Sequence, residues 1–205
     1  GDYAGSVEAH FLPDDTAETD AAWIAQRVEE LVKNGEPVRD GSSTRPVQYE
    51  DCCILLAARG DFLAYEEALT ARGIPVCIHI IDGLPGEDRA QMLDTAREIA
   101  ALSPACVKIH LLHILKGTPM AEEFAACPED FRMMDRDDYV QTVCDQLELL
   151  PPETVIQRVT GDGLRDQLIA PLWSMKKLVV LNEIDKELAR RNSWQGRRRG
   201  CAATI

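Results

Sequence analysis

No apolar run in this sequence approaches the length of a membrane span, and no secretory signal stands at its start. The cytoplasm is therefore the expected compartment, and a membrane is not an expected partner. Internal repeats and low-complexity tracts are also missing. Basic charge is in short supply: 22 Lys and Arg stand against 35 Asp and Glu, a net charge of −13. The imbalance is uneven, with 6 basic against 15 acidic side chains in residues 1–76 and 16 against 20 in residues 77–205. Such a chain is poorly suited to gripping phosphate backbones, so nucleic acid is not an expected partner of this fragment alone. The one basic cluster, Arg190, Arg191, Arg197, Arg198 and Arg199, reads as a solvated tail. Two spacings that carry chemistry are absent. No Gly-x-x-x-x-Gly-Lys-Ser/Thr phosphate loop occurs, which excludes a nucleotide-driven motor of that type. The seven cysteines, at 52, 53, 77, 106, 127, 144 and 201, include no Cys-x-x-Cys and no Cys-x-x-x-Cys-x-x-Cys. Their odd number and scatter give no disulfide framework, and those in apolar runs read as small hydrophobes.

What is present is an ordinary globular composition, 45% apolar and 28% charged, with length enough for one good core or two small ones. The most informative stretch is Val76-Cys77-Ile78-His79-Ile80-Ile81-Asp82-Gly83-Leu84-Pro85-Gly86-Glu87. An apolar run ends at a turn built from Gly and Pro and is followed by a helical period, which reads as a buried strand, a tight turn and a helix. In sheets of such units, ligands sit at the turns beyond the strand ends. Upstream, Asp15 is the expected cap of a helix with Trp23, Ile24, Val28, Leu31 and Val32 on one face and Gly35 as its stop. Glu8–Leu12 is a candidate short strand, Pro37–Arg45 reads as a polar loop, and Cys52–Ala57 as a buried strand. Asp61–Arg72 reads as a helix with Phe62, Tyr65 and Leu69 inward. Downstream the spacing predicts a helix near Arg89–Leu102, a strand over Val107–Leu115 and a helix opened by Thr118-Pro119. A helix capped by Asp135 follows, then a strand over Thr154–Val159. Ser174 is read as opening the last helix, with Leu178, Leu181, Ile184 and Leu188 on one face. Strand–helix alternation from residue 74 argues for a parallel sheet or part of a βα barrel, although three strands are too few to close one. His79, His110 and His113 invite a metal reading. His110 and His113 are an odd number apart on the expected strand and so face opposite ways, which leaves core or turn histidines as the preferred reading. Lys108 and His110 share a face and either line a polar pocket or form a satisfied buried pair. Thr160-Gly161-Asp162-Gly163 reads as a flexible polar turn.

Ile78 through Glu87 and Val107 through Pro119 resemble the late strands of a radical S-adenosylmethionine protein. Arg158-Val159-Thr160-Gly161-Asp162-Gly163, Ile169-Ala170-Pro171-Leu172-Trp173-Ser174 and Ser193-Trp194-Gln195-Gly196 continue the likeness. Five segments in order over about 125 residues resemble the C-terminal part of the YhcC/YtqA-like branch. The resemblance implies a partial βα barrel. It also implies a 4Fe-4S cluster on a Cys-x-x-x-Cys-x-x-Cys loop that splits S-adenosylmethionine into methionine and a 5′-deoxyadenosyl radical. In that family the strand ending in Gly-Leu-Pro-Gly-Glu helps hold the adenosyl part. The matching positions here are Ile81, Gly83, Leu84, Pro85, Gly86 and Glu87, with His113 expected near the adenine or the substrate, whose identity the sequence does not give. The cluster loop has no counterpart in this chain, so radical chemistry is not expected of it alone.

Residues before 77 resemble something else. Glu8-Ala9-His10-Phe11-Leu12, the acidic helix around Trp23, Arg45 through Leu56, and Tyr65 through Val76 are similar to a segment of AddA/RecB/UvrD-like helicases. The family's Arg after the strand has no clear equivalent, with Ala57 and Ala58 in its place and Arg59 nearby. The two resemblances meet near Ala71–Cys77. The expected fold class is therefore α/β, an incomplete βα unit of radical-enzyme type (77–205) preceded by a small helicase-like α/β segment (1–76). A natural fusion, a decayed gene and an assembly artefact would each produce such a mosaic. A fragment of an ATP-dependent helicase/nuclease, binding DNA or a partner without a motor, is the alternative reading.

Overall fold

A computed structural model describes residues 16–56, 61–161 and 165–199. The expected strand at Glu8–Leu12, the Ala57–Arg59 positions and Asp162-Gly163 lie outside the described residues. The chain divides into two compact units, Gly1–Val76 and Cys77–Ile205.

In the first unit, α1 (Ala17–Asn34) begins one residue later than the Asp15 cap implies. Thr16 is the cap, its hydroxyl accepting from the Thr19 amide, and Gly35 ends the helix in the left-handed conformation at φ 65°. The buried face is narrow, Ala21 and Ala25, which lets α2 (Phe62–Thr70) approach closely through Tyr65 and Leu69. The Tyr65 hydroxyl donates to Asp20. Pro37–Arg45, read as a loop, is instead the antiparallel hairpin of β1 (Pro37–Asp40) and β2 (Ser43–Pro46), with Asp40 opposite Ser43 and Gly41 at φ 59° in the two-residue turn. The signal was Gly at a position requiring positive φ, without the flanking apolar alternation that usually advertises a hairpin. Arg45 then makes a fork on Asp51, two bonds of 2.7 Å.

The expected strand at Cys52–Ala57 does not form over the described residues 52–56, which have no ladder partner. Ile54 packs on the small core of Ala25, Leu69 and Ile74, whereas Leu55 is 90% exposed. The segment alternates in and out as a strand would, but without a neighbour it has no ladder.

The second unit is built on a parallel sheet of three strands, β3 (Cys77–Asp82), β4 (Cys106–Leu111) and β6 (Val155–Arg158), in the order β3-β4-β6. Helix α3 (Arg89–Leu102) links the first two, capped by Asp88, whose carboxylate accepts from the Gln91 amide. Helix α5 (Arg136–Leu149) precedes β6 and is capped by Asp135. One face of the sheet, Ile78, Ile80 and Asp82 with Val107, Ile109 and Leu111, is closed. Helices α3 and α5 pack together, and α6 (Lys177–Arg190) packs on α5. The strand expected over Val107–Leu115 is two strands. After β4, β5 (Ile114–Leu115) turns away and pairs antiparallel with β7 (Leu168–Ala170), a strand the sequence reading did not find. Between them α4 (Pro119–Ala126), capped by Thr118, covers a satellite core of Leu112, Ile114 and Phe131.

A short 3-10 turn, Leu172–Met175, precedes α6, so Ser174 lies before the helix and not at its start. The inward face of α6 is Val180, Ile184 and Glu187, and Leu178 is 76% exposed. The C-terminal basic cluster is not a solvated tail. Arg191 bonds Glu187 and Asp145, Arg198 bonds Glu148, and Arg199 bonds Glu153 and Ser103. Gln195 donates to the Pro151 and Thr154 carbonyls at 2.6 and 2.8 Å, so Ser193–Gly196 is a dock that pins the chain end against the start of β6.

Candidate functional site

The closed face of the sheet leaves the other face open: Cys77, His79 and Ile81 of β3 point away from α3 and α5, and Ile81 is 46% exposed. A cavity of about 380 Å³ opens at this face, lined by His79, Ile81, His110, Leu111, Leu112, His113, Arg158 and Gly161. Alternation puts His79 and Ile81 on one side of β3, and the parallel register sets Ile81 beside His110. The His79 and His110 rings stack at 5.5 Å and 16°. His113 reaches the same cavity because β4 ends at Leu111. Strand parity no longer applies beyond that point, so the expectation that His110 and His113 face opposite ways is overturned. The Leu112 amide still donates to the Asp82 carbonyl at 2.9 Å, which fixes where the chain departs.

The electrostatics follow from burial. Burial lowers the pKa of His79, with Lys108 and Arg158 adding to the effect, and burial lowers that of His113. His110 is pulled down to about 4 by burial, then by His79, Arg158, Lys108 and His113. At neutral pH the pocket holds uncharged imidazoles, each with one donor and one acceptor nitrogen. The Nε2 atoms of His110 and His113 are buried without a hydrogen-bond partner, an arrangement that costs free energy unless something bonds them. Gly161 is needed for the fit, since a Cβ there would stand 2.8 Å from His113 Cε1.

The Gly-Leu-Pro-Gly-Glu turn closes the end of β3. Gly83 and Gly86 have φ of 80° and 76°, conformations that favour glycine. A Cβ at Gly83 would contact Met134, whereas nothing lies within 4 Å of one at Gly86. The Glu87 carboxylate accepts from the Gly83 and Leu84 amides at 3.1 and 3.2 Å, so it holds the turn and occupies those donors. Of the expected positions, Ile81 and His113 line the cavity. Gly83, Leu84, Pro85, Gly86 and Glu87 form the turn beside it and are not part of its lining. His79, His110, Leu111, Leu112, Arg158 and Gly161 complete the lining. Of these, the sequence invites a metal reading for His79 and His110 and a polar pocket for His110 with Lys108; parity along β3 and β4 was the available signal for the two histidines.

Beneath the turn lies Asp82, fully buried. Its Oδ1 accepts from Gln146 Nε2 at 2.7 Å, while Asp82 Oδ2 and Gln146 Oε1 have no partner. Burial raises its carboxyl to about 7, against the Gln146 bond and with Glu87 adding to the rise. No group of three or more His, Cys, Asp or Glu that could hold a metal occurs among the described residues. Cys77 and Cys106 are adjacent, but no third thiol joins them among the described cysteines. The donor set for an iron–sulfur cluster is therefore not assembled among the described residues.

Comparison with known proteins agrees with this architecture. Residues 104–190 match the Radical_SAM C-terminal domain model. YtqA of Bacillus subtilis strain 168 is 47% identical over 152 residues, spanning 73% of this chain and 47% of that protein. YhcC of Escherichia coli K12 is 33% identical over 131 residues, 62% of this chain and 42% of that protein. The chain thus spans about half the length of the curated relatives it matches. Among solved structures, the archaeal Methanocaldococcus infernus Elp3 with an N-terminal deletion superposes with a TM-score of 0.58 at 17% identity, covering 66% of this chain and 32% of that one, which shows a shared fold. These matches relate the chain to the YtqA/YhcC-like radical SAM proteins. A separate match, to an ATP-dependent helicase/nuclease protein of Ligilactobacillus salivarius strain UCC118, is 32% identical over 74 residues, 35% of this chain and 6% of that protein.

Proposed function

We propose that the second unit is the cofactor-and-substrate part of a radical S-adenosylmethionine protein, without the part that carries the cluster. The carrying observation is the convergence of Ile81, His110 and His113 on one cavity beside the Gly83–Glu87 turn. When bound beside a cluster, S-adenosylmethionine would supply the 5′-deoxyadenosyl radical in this family. The residues here fit its adenosyl part. The unpartnered Nε2 atoms of His110 and His113 offer hydrogen bonds to a base edge or a ribose hydroxyl, Ile81, Leu111 and Leu112 offer apolar contact, and Arg158 favours an anionic group. Gly83, Leu84, Pro85, Gly86 and Glu87 act as the rigid support, with Glu87 fixing the turn's amides rather than leaving them for the ligand. Because the described cysteines do not assemble a cluster site, the chain alone does not cleave the cofactor.

Two measurements test this reading. Calorimetric titration with S-adenosylmethionine should show binding that His113→Ala weakens about tenfold or more, the loss of one buried hydrogen bond. Gly161→Val should weaken it too, by displacing His113. Equal binding by both variants and the parent chain would refute the assignment. Anaerobic reconstitution with iron and sulfide should give no stoichiometric cluster; a cluster accompanied by cofactor cleavage would overturn the second half of the proposal. The match to a helicase/nuclease protein favours one competing reading, a motor-less fragment that binds DNA or a partner. DNA affinity that falls steeply with salt would support it.

A further inference from the structure

At the end of the sheet away from the cavity, β3 and β4 each begin with a cysteine. Cys77 and Cys106 are the first residues of their strands and are partners in the parallel register. In-register neighbours on adjacent strands project to the same face. The two thiols are within hydrogen-bonding reach of each other, and the Cys77 thiol also donates to Gln157 Oε1, at 3.7 Å. Both are in the reduced thiol form, Cys77 half-buried and Cys106 buried. Hydrogen-bonded strands lie about 4.8 Å apart, inside the window of about 4.4–6.8 Å between Cα atoms that a disulfide needs. The β-carbons of parallel neighbours stand about as far apart as their strands. That is slightly beyond the 3.5–4.5 Å, roughly, that an unstrained bridge prefers. A bond closed here is therefore of the mildly strained, easily reduced kind.

We propose that Cys77 and Cys106 form a reversible dithiol–disulfide site, closed by a low-molecular-weight disulfide of the glutathione class, that clasps β3 to β4. In the first step a thiolate of the pair attacks glutathione disulfide, forming a mixed disulfide and releasing one glutathione thiolate. In the second step the remaining cysteine attacks the mixed disulfide at the protein sulfur and releases the second glutathione. Two electrons pass from the cysteine pair to glutathione disulfide, and the two cysteine protons go to the released thiolates or to water. The clasp fixes the start of the strand whose other end carries Ile81 and the Gly83–Glu87 turn. Burial and the adjoining Cys106 thiol push Cys77 up to about 12, while Lys108 on the same face acts in the opposite direction. His79, His110 and Arg158 lie further along that face. Attack requires a thiolate, so closure accelerates with pH.

The test uses the full chain. Reduced protein is incubated with millimolar glutathione disulfide, quenched in acid, alkylated and digested without reductant, and its cross-linked peptides are mapped by mass spectrometry. The expected product is a Cys77–Cys106 peptide pair, two hydrogens lighter than the reduced pair and reopened by dithiothreitol. Its rate should rise with pH between roughly pH 7 and 9, since only a thiolate attacks. Cys77→Ala should abolish it, and the Cys52→Ser/Cys53→Ser double variant should leave it intact. Hydrogen exchange on the unmutated chain provides a readout independent of those variants: the amides of β3 and β4 should exchange more slowly in the oxidised form. A map that shows only glutathione adducts, only other cysteine pairings, or no product would overturn the proposal, as would unchanged exchange in the two strands. None of these outcomes depends on whether the cavity binds S-adenosylmethionine.

Discussion

Residues 52–56 and 77–82 are two apolar runs of similar composition with opposite fates. The first, Cys-Cys-Ile-Leu-Leu, alternates in and out against a small core but has no strand beside it, and Leu55 is left 90% exposed. The second, Cys-Ile-His-Ile-Ile-Asp, forms a full ladder with β4, buries Ile78, Ile80 and Asp82, and exposes His79 and Ile81. Local composition does not separate them, because both runs suit a strand. The difference is the neighbour: β3 has β4 alongside and two helices over one face, while 52–56 has only the side of a helix pair. A strand is a property of a pair, and a ladder's hydrogen bonds exist only where a second backbone supplies them.

The comparison can be pressed hardest at Asp82, the residue in β3 for which the run at 52–56 has no equivalent. Its folded pKa, about 7, lies above its ordinary value of 3.8. The unfolded chain therefore gives up the proton first, so stability is fully present below about pH 4 and falls as pH rises through 7. The fall is on the order of 4 kcal/mol, at about 1.4 kcal/mol per pKa unit. Urea denaturation from pH 4 to 8 measures it. Asp82→Asn should flatten this slope and raise stability at pH 8, since the amide supplies a donor for the unpartnered Gln146 Oε1. A slope unchanged by the substitution would mean that Asp82 ionises freely in the fold.

Next in size is the core itself. Ile109, fully buried in β4, should cost about 3 kcal/mol on replacement by Ala, whereas Leu55→Ala should stay within about 0.5 kcal/mol. Equal losses would erase the distinction between the two runs. Third, Glu187 is held down to about 2 by Arg190, then Arg191, so its contribution is present above about pH 4.5 and fades as pH falls through 2. Glu187→Gln should remove roughly 2 kcal/mol at pH 7, read by denaturation, and lose the acid-side slope. Smallest is Gln195→Ala, which removes two bonds to the Pro151 and Thr154 carbonyls. A loss of about 1 kcal/mol is expected, with hydrogen exchange in β6 rising and that in α1 unchanged.

Much of the second unit was legible in the sequence because its signals are local. Thr118 and Asp135 cap α4 and α5, and the turn at Gly83–Gly86 needs two positive φ values, as its glycines suggested. Ile81 and His113 were expected near the cofactor on the strength of a resemblance; both line the cavity, and their binding of a ligand is part of the proposed function. What escaped was non-local. β7 is three residues long and pairs only with the two-residue β5, too short for any period to show. The convergence of His110 and His113 depended on β4 ending at Leu111, which neither residue's own neighbours announce. The terminal arginines looked like a free tail because Asp145, Glu148 and Glu153 lie some 40 to 50 residues away in the chain.

The sequence by itself determined which segments are helical, which turn breaks β3, the acidity of the chain, and the absence of a Cys-x-x-x-Cys-x-x-Cys loop. Each of these is written in residues within a few positions of one another, so the physics of caps, φ angles and spacing suffices. Only the tertiary structure decided which apolar run gains a partner, which face of the sheet stays open, and that His79, His110 and His113 share one cavity. Those outcomes depend on the register of strands separated by some 30 residues and on which helices cover them, and burial then lowers the pKa values of the three histidines and raises that of Asp82.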